Sequence, residues 1–360
     1  MKLTNIKKIL GLIIVFSLLM TIVGCAKKDE VTPEPTPSAD VETEEPVAEK
    51  PEEPTEVIEI KLAHYAEIGH PADLAANEFA LKVEARTNGA VKIIVYPANA
   101  LGTPDEVLEQ NILGTVDMSL PTQGHLSKYS QKFSTVMLPF AFEDADHVYR
   151  VLDGPFMEWA SPDLEAQGLV FLSNWDWGFR NITNNKRPIN TPADVAGLKL
   201  RTPPEIQLQA AMEALGANVS QIAFSELILS LNQGVVDGQE NPLSVIYYNN
   251  VFEAQNHLAI TQHVYNSMVN VMSKEVWDKL SEEQQMILKE ESTNAGNEMR
   301  KMMQEQEEDL IGMLEEKGME VTYPDKTLFK DMMQPAYDRI AEYAGKENVD
   351  YLLKIAEENK

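Results

Sequence analysis

The feature that most constrains this sequence is a long stretch without proline, from Glu282 to Lys317. A capping box at Ser281–Gln284 opens the stretch, and apolar residues then recur close to helical spacing. A continuous helix over this stretch would be about 54 Å long, which exceeds the diameter of a small domain. Gly296 and Gly312 are the points where we expect it to bend or to be interrupted. The stretch therefore predicts a helix that spans two domains.

Strand-like and helix-like segments alternate in the region that precedes this helix. Val57–Leu62 alternates in polarity, Pro71–Asn88 has helical spacing, and Val91–Tyr96 is a second strand. A capping box with proline in the first turn, Thr103–Glu106, begins another helix, and the short strand Val116–Leu120 follows. This alternation predicts an α/β fold with parallel strands.

A short internal similarity favours two related halves. Residues 106–117 and 226–237 both have the pattern of a helix, a glycine stop and a short strand that ends in aspartate. Chance similarity is the alternative interpretation. The region from Val57 onward is also larger than the usual single hydrophobic core, which independently favours two domains.

The N-terminus has the pattern of a signal peptide. Lysines precede the apolar run Ile9–Val23, which is too short to span a bilayer comfortably. The end of the run, Thr21–Cys25, resembles a bacterial lipoprotein cleavage box, in which the cysteine becomes the lipidated first residue. We therefore predict a signal peptide over residues 1–24 and a lipid on Cys25, with a plain secretory signal as the alternative. Because Cys25 is the only cysteine, an intrachain disulfide and thiol catalysis in the folded body are excluded.

The residues after Cys25 predict a tether. Residues 25–56 are acidic, rich in proline and free of aromatic side chains, so they cannot bury enough apolar area to fold. The whole chain carries a formal charge of −27, which argues against nucleic acid and anionic lipid as partners. An anionic ligand is still compatible with this charge, because salt screens charges beyond about 10 Å and nearby arginines dominate a pocket.

Two strand-like segments each deliver one arginine. Arg180 lies within Trp175–Thr183, and Arg201 lies within Leu198–Pro203. A guanidinium is planar and permanently charged, and it can bind a carboxylate through two parallel hydrogen bonds. An arginine pair at such strand ends could fix a small anion. The alternative is that each arginine pairs with a nearby structural acid.

Four motifs of the sequence resemble one known family. They are Gly178–Asn184 (GFRNITN), Gly197–Pro203 (GLKLRTP), Ala223–Glu226 (AFSE) and Gly234–Pro242 (GVVDGQENP). In this order and at this spacing they resemble the solute receptors of TRAP (tripartite ATP-independent periplasmic) transporters, in the dicarboxylate-receptor-like group. The resemblance covers roughly residues 57–320.

The resemblance implies a two-domain α/β fold like that of periplasmic binding proteins, which closes over a carboxylate ligand. Crossing hinge strands join the domains, and a long helix spans both. On this basis domain I comprises residues 57–178 and 267–306, and domain II comprises residues 179–266 and 307–360. The expected crossing segments lie near Asn174–Arg180 and Val264–Met272.

The resemblance also implies roles for individual residues of the second domain. Arg201 corresponds to the main carboxylate anchor and Arg180 to the second arginine. Asn241 corresponds to an asparagine that hydrogen-bonds the same carboxylate. Glu240 and His263 resemble groups that orient the anchor arginine. The alternatives without a binding role are a turn at Asn241 and, at His263, a core histidine whose ring is hydrogen-bonded within the protein.

Aromatic and amide residues complete the expected pocket. Phe224 corresponds to an aromatic wall, although it could instead pack on the following helix as a staple. Tyr65 and Gln123 follow the first and third strands, where open α/β sheets bind their ligands. Trp177 departs from the family pattern, in which smaller polar residues are frequent, and an indole could stack on a sugar ring or form the pocket floor.

The expected function is a membrane-tethered, non-enzymatic receptor that delivers an organic acid to a membrane permease. The ligand is a C4-dicarboxylate or a sugar acid. An anchored receptor for a sensor kinase and a secreted hydrolase are the alternatives. Against a hydrolase, the sequence has neither a His-Glu-x-x-His pair nor a Gly-x-Ser-x-Gly elbow. Its six histidines lack tight metal-ligand spacing, so no metal or cofactor is predicted.

Overall fold

The computed structural model describes residues 57–360, and the predicted signal peptide, Cys25 and tether lie outside these described residues. The described part contains one nine-stranded sheet. Its strands are β1 (Ile58–Ala63), β2 (Val91–Tyr96), β3 (Met118–Ser119), β4 (Leu169–Asn184), β5 (Lys199–Thr202), β6 (Asn218–Gln221), β7 (Gly238–Pro242), β8 (His257–Ser273) and β9 (Glu320–Thr322).

Helices cover both faces of the sheet and alternate with its strands, as predicted. They are α1 (Pro71–Arg86), α2 (Pro104–Ile112), α3 (Ala145–Val151), α4 (Met157–Ala166), α5 (Ile206–Ala214), α6 (Leu227–Asn232), α7 (Leu243–Tyr248), α8 (Lys274–Trp277), α9 (Glu282–Glu316), α10 (Lys326–Lys330), α11 (Gln334–Ala344) and α12 (Lys346–Glu358). Short 3-10 turns and one π-helical turn, Leu152–Phe156, connect them.

The strand order is β2-β1-β3-β8-β4-β7-β5-β6, with β9 on a side branch next to β8. Strands β1, β2 and β3 are parallel to one another, and so are β5, β6 and β7. We call the first group, with α1 and α2, lobe 1, and the second group, with α5 and α6, lobe 2. The antiparallel pair β4 and β8 lies between the lobes.

Strands β4 and β8 are the crossing strands that the sequence predicted. They are 16 and 17 residues long and stay paired from Leu169–Ser273 to Asn184–His257. One end of β8 pairs with β3 of lobe 1, and the opposite end of β4 pairs with β7 of lobe 2. The two lobes therefore share these strands.

The long helix is confirmed, and its expected interruption is wrong. Helix α9 continues for 35 residues through Gly296 and Gly312, and Ser281 forms the predicted capping box with Gln284. Its first half packs in a core with lobe 1, whereas Leu310 and Leu314 pack with α6 of lobe 2. At Gly296 a Cβ would lie 2.5 Å from the carbonyl oxygen of Asn174, so glycine lets the helix approach β4 closely.

The internal similarity corresponds to a repeated contact. In lobe 1, Asp117 Oδ2 accepts a hydrogen bond from the backbone N–H of Lys61, at 2.7 Å. In lobe 2, Asp237 Oδ2 accepts one from the backbone N–H of Lys199, at 2.9 Å. Both lysines lie on the central strand of their parallel group, so the two lobes are built alike at this point.

The C-terminal helices bury their apolar faces in the hydrophobic core that also contains residues of lobe 2. Ile340 and Leu352 lie in one hydrophobic cluster with Leu208 of lobe 2 and with Phe133 and Phe156. The division at residues 178/179, 266/267 and 306/307 stays a prediction. Among residues 57–360, no helix has the length and hydropathy that crossing a bilayer requires.

Candidate ligand-binding cleft

A cleft of about 760 Å³, part of it open to solvent, lies between the strand ends of the two lobes. Its lining comes from three places: the loops after the strands of lobe 1, the crossing strands, and the strand ends of lobe 2. The polar and aromatic side chains that line it include Tyr65, Asn99, Asp105, Thr122 and His125 from lobe 1, Trp177, Arg180 and Asn266 from the crossing strands, and Arg201, Glu205, Phe224 and Asn241 from lobe 2.

Arg180 is paired with groups of the protein through its Nε and Nη2 atoms. Its Nε and Nη2 atoms both donate to the carboxylate of Glu240, with the Nη2–Oε1 distance at 2.9 Å. Nη2 also donates to the carbonyl oxygen of Glu240 at 2.7 Å and to Oδ1 of Asn241 at 2.9 Å. Burial disfavours the charged guanidinium, but Glu240 outweighs that effect and raises the pKa of Arg180. The charge of Arg180 is therefore neutralised within the protein, whereas its Nη1 atom makes no hydrogen bond within residues 57–360 and can still donate to a ligand.

Glu240 is held in place from two sides. Both Glu240 and His263 are fully buried, and His263 Nε2 lies 3.4 Å from Glu240 Oε2. Burial raises the pKa of the Glu240 carboxyl, but Arg180 and His263 together lower it below its ordinary value. The expectation that Glu240 and His263 orient Arg201 is therefore corrected: the pairing of β4 with β7 places Glu240 against Arg180.

Arg201 has the opposite environment. It is 1% exposed, and its Nε donates to the carbonyl oxygen of Ile222 at 2.8 Å. Its Nη2 has no hydrogen-bond partner, and Arg201 forms no ion pair within residues 57–360. Burial is the main cause that lowers its pKa to about 10, so it stays charged at neutral pH. The Phe224 ring lies 5.9 Å from its Cζ atom. A buried guanidinium without a counter-ion is a site for an anion.

Aromatic rings form one continuous wall of the cleft. Tyr65 lies against Trp177 with ring centroids 4.8 Å apart, and Phe224 meets the edge of Tyr65 at 6.2 Å. His70 also contacts Trp177, with ring centroids 4.8 Å apart. Trp177 is thus fixed in the wall by two ring neighbours, and it is almost fully buried.

Gln123 does not line the cleft, which corrects its predicted placement. The chain turns into a 3-10 helix at Gln123, so the side chain points into the interior and donates to Oδ1 of Asn174 at 2.8 Å. The preceding residue, Thr122, lines the cleft instead. Asn241 does line it, although its Nδ2 atom donates to Gln239 inside lobe 2.

The sequence reasoning missed a charged cluster that consists of Asp105, His125, Lys128 and Glu205. His125 Nδ1 lies 3.4 Å from Asp105 Oδ1, and His125 Nε2 lies 3.9 Å from Glu205 Oε1. Lys128 Nζ is 3.0 Å from Asp105 Oδ1. Asp105 lies in the first turn of α2 and Glu205 follows β5 after two prolines, but among 57 acidic residues neither position has a local signal that singles it out.

Within this cluster, Glu205 is the most buried member and the least satisfied. It is 6% exposed, and its Oε2 atom has no hydrogen-bond partner. Burial raises its pKa above the ordinary value of 4.5. The pKa of His125 is also raised, because its acidic neighbours outweigh the effect of burial. The cleft therefore contains a basic group, Arg201, and an acidic group, Glu205, and we call the part of the cleft around Glu205 its acidic end.

Comparison with known proteins identifies the family. Residues 62–343 match the sequence model of the bacterial extracellular solute-binding proteins, family 7. The chain belongs to this family. The resemblance to TRAP solute receptors is thus confirmed, and the protein is a solute receptor of this type.

Two relatives illustrate the range of the family. The chain is 33% identical over 261 residues to the 2,3-diketo-L-gulonate-binding periplasmic protein of Escherichia coli, which covers 72% of this chain and 80% of the relative. It is 33% identical over 305 residues to the C4-dicarboxylate-binding periplasmic protein of Rhodobacter capsulatus, which covers 82% of this chain and 90% of the relative.

Solved structures of family 7 proteins have the same fold. A sugar acid binding protein from Advenella mimigardefordensis in complex with galactonate has a TM-score of 0.81 at 28% identity, over 85% of this chain and 99% of that chain. A TRAP periplasmic solute binding protein from Sulfurospirillum deleyianum with bound succinate has a TM-score of 0.78 at 30% identity, over 85% of this chain and all of that chain (100%). The predicted two-domain α/β fold is confirmed by these similarities.

Proposed function

We propose that this receptor binds the carboxylate of an organic acid through Arg201 and delivers the acid to a TRAP-type membrane permease. The observation that carries the proposal is the state of Arg201, a buried guanidinium that lines the cleft and lacks a counter-ion. A ligand carboxylate would neutralise this charge and accept a bidentate pair of hydrogen bonds. The periplasmic relatives that bind a sugar acid or a C4-dicarboxylate support an acid of one of these classes.

The arrangement of the lobes supports closure over the ligand. The cleft receives side chains from both lobes, and the crossing strands and α9 extend from one lobe to the other. A ligand held between Arg201 of lobe 2 and Tyr65 of lobe 1 would draw the lobes together. Closure would also remove the carboxylate from water and strengthen its contact with Arg201.

We also propose that the receptor acts at the membrane and catalyses no reaction. A lipid on Cys25 and an extended tether over residues 26–56 would hold the receptor near the permease at the outer face of the membrane. The ligand would leave the cleft chemically unchanged. Mass spectrometry of the membrane fraction should find a diacylglyceryl adduct on Cys25, and quantitative release of unlipidated protein from cells would contradict this part.

Calorimetric titration with a panel of organic acids, followed by recovery of the ligand, tests the function. We expect saturable binding with one acid per chain, intact ligand after prolonged incubation, and a smaller radius of gyration in solution scattering of the complex. Absence of binding by every carboxylate, or conversion of the ligand into a product, would contradict the proposal.

A further inference from the structure

The cationic groups of the cleft leave room for one ligand carboxylate. Arg180 is already neutralised by Glu240, to which it donates three hydrogen bonds. His125 lies between the acids Asp105 and Glu205, whose negative charges raise its pKa. The positive charge of the protonated ring is in turn balanced by these acids. Within residues 57–360, Arg201 is the cleft guanidinium that forms no direct ion pair, although the charges of Glu240 and Glu205 favour its charged form. A ligand with a single carboxylate therefore matches the charge of the cleft.

The acidic end of the cleft is a built feature that joins the lobes. Glu205 reaches from lobe 2 to the 3-10 turn that follows β3, where a Cβ on Gly124 would lie only 2.0 Å from its Oε2 atom and 2.4 Å from Cε of Met137. A glycine at this position is what lets the carboxyl group occupy its place. The same residue lines the cleft and is more than nine-tenths buried. Its Oε2 atom faces Gly124 and has no hydrogen-bond partner, and its Oε1 atom lies 3.9 Å from His125 Nε2, which is beyond hydrogen-bond distance. Such an oxygen requires a donor.

The chemistry of that donor follows from the neighbours of Glu205. A second ligand carboxylate would bring a negative charge toward Glu205 and Asp105, where repulsion in a buried cleft is strong. An ammonium group would approach His125 and Lys128, which already supply positive charge to the same acids. A hydroxyl group donates a hydrogen bond without adding charge. The hydroxyl is therefore the group that fits.

We propose that Glu205 determines the ligand specificity of this receptor: it selects monocarboxylates that carry hydroxyl groups distal to the carboxylate, and it rejects dicarboxylates. The inference rests on the proposed function, because Arg201 must hold the carboxylate for Glu205 to meet the distal hydroxyls. In the family the two ligand classes occur in different relatives. For this chain, Glu205 decides between them.

Three four-carbon acids provide the test: D-erythronate has hydroxyls along its chain and at its distal carbon, succinate has a second carboxylate at its distal carbon, and 4-aminobutyrate has an ammonium group there. Calorimetric titration of the purified protein should show D-erythronate binding at least about tenfold more tightly than either of the others. Galactonate, which has hydroxyls along a longer chain, is added in case the shorter acids do not span the cleft. A protein that binds succinate or 4-aminobutyrate as tightly as the hydroxylated acids would overturn the inference.

Glu205→Gln tests whether Glu205 is the residue that determines the ligand specificity. It keeps an acceptor and the side-chain volume but removes the charge, so we expect weaker D-erythronate binding and stronger succinate binding, each by roughly fivefold to tenfold. Glu226→Gln is the matched control, because it removes an exposed charge from the same lobe. It should change the ratio of the two affinities by less than about twofold, since solvent screens it.

The outcomes separate this inference from the proposed function. If the protein binds carboxylates through Arg201 but Glu205→Gln leaves the affinity ratio unchanged, the specificity inference fails and the proposed function stands. If none of the acids binds the unsubstituted protein, both fail together. Should the variant not fold, the ranking of the acids by the unsubstituted protein still decides the inference.

Discussion

Arg180 and Arg201 flank strand β7 and line the same cleft, but the protein treats them in opposite ways. Arg180 is paired in register with the β7 segment that carries Glu240 and Asn241, and it donates to both. Arg201 pairs with β7 only through its backbone, and its guanidinium finds one carbonyl oxygen and no acid. The comparison shows that a buried arginine can be a structural group or a ligand group, and that its partners decide which.

The largest expected effect comes from Arg201→Ala. Removal of one partner of a buried charge pair costs about 2–5 kcal/mol, so ligand affinity should fall by at least about thirtyfold. The unliganded protein should keep or gain stability, because the variant removes a buried cation without a counter-ion. Calorimetric titration and thermal unfolding of the same preparation give both quantities. A large loss of stability with unchanged affinity would mean that Arg201 is the structural arginine and that it does not bind the ligand.

Glu240→Gln should have the opposite pattern. It leaves the guanidinium of Arg180 buried without its counter-ion, which should lower the free energy of unfolding by about 3 kcal/mol. Urea denaturation of the unliganded protein measures the change. Glu253→Gln, at an exposed position, is the control and should stay within about 0.5 kcal/mol of the unsubstituted protein. Equal stabilities of the two variants would show that the Arg180–Glu240 pair contributes no net stability.

Helix α9 contains two glycines, Gly296 and Gly312, whose environments also differ. At Gly296 a Cβ would lie 2.5 Å from the carbonyl oxygen of Asn174, so Gly296→Ala should destabilise the protein by about 1–3 kcal/mol. At Gly312 no atom lies within 4 Å of a new Cβ, so Gly312→Ala should stabilise it by roughly 0.5–1 kcal/mol. Thermal unfolding of both variants checks the pair. Destabilisation by both substitutions would mean that α9 needs glycine for flexibility at either position.

The two buried carboxyls of the cleft predict a smaller effect that depends on pH. The pKa of Glu240 is lowered in the folded protein, so its contribution to stability is present above pH 4.5 and is lost as the pH falls below that value. The pKa of Glu205 is raised from 4.5, so the folded protein loses stability as the pH rises through the folded pKa and the carboxyl ionises. Glu205→Gln should therefore be more stable than the unsubstituted protein at pH 7, because it removes the cost of a buried charge.

Chemical denaturation at pH 7 and at pH 4 measures this difference. At pH 4 the Glu205 carboxyl is largely protonated in both the folded and the unfolded chain, and the advantage of Glu205→Gln should vanish. An advantage that stays constant across this range would show that the effect comes from packing and not from charge. Glu205 is one of the acids that raise the pKa of His125, so the titration of His125 should also shift to lower pH in the variant.

The parts of the molecule that were predictable from sequence depend on local signals. The long helix α9 follows from its capping box and from the spacing of apolar residues, and the strands that carry Arg180 and Arg201 follow from short apolar runs. The partner of Glu240 was not predictable, because it depends on the register of β4 against β7, which joins residues 60 positions apart. Gln123 was misplaced because one turn of 3-10 helix rotates it away from the cleft.

The acidic end of the cleft was missed for a related reason. Glu205 follows two prolines after β5 and has no local signature in a sequence with 57 acidic residues. Its importance becomes visible only when lobe 1 brings Gly124 and His125 against it. A contact between lobes is a tertiary property, so burial and hydrogen-bond satisfaction had to be read from the structure.

The central claim is that Arg201 holds the ligand carboxylate with a planar fork, and Arg201→Lys tests it most directly. Lysine keeps the positive charge but offers a point donor, so a bidentate contact cannot form. Calorimetric titration with the best-binding acid, after thermal unfolding confirms the fold, should show affinity weakened by roughly tenfold to several hundredfold. A folded Arg201→Lys protein with unchanged affinity would contradict the account and would leave Arg201 as a structural residue.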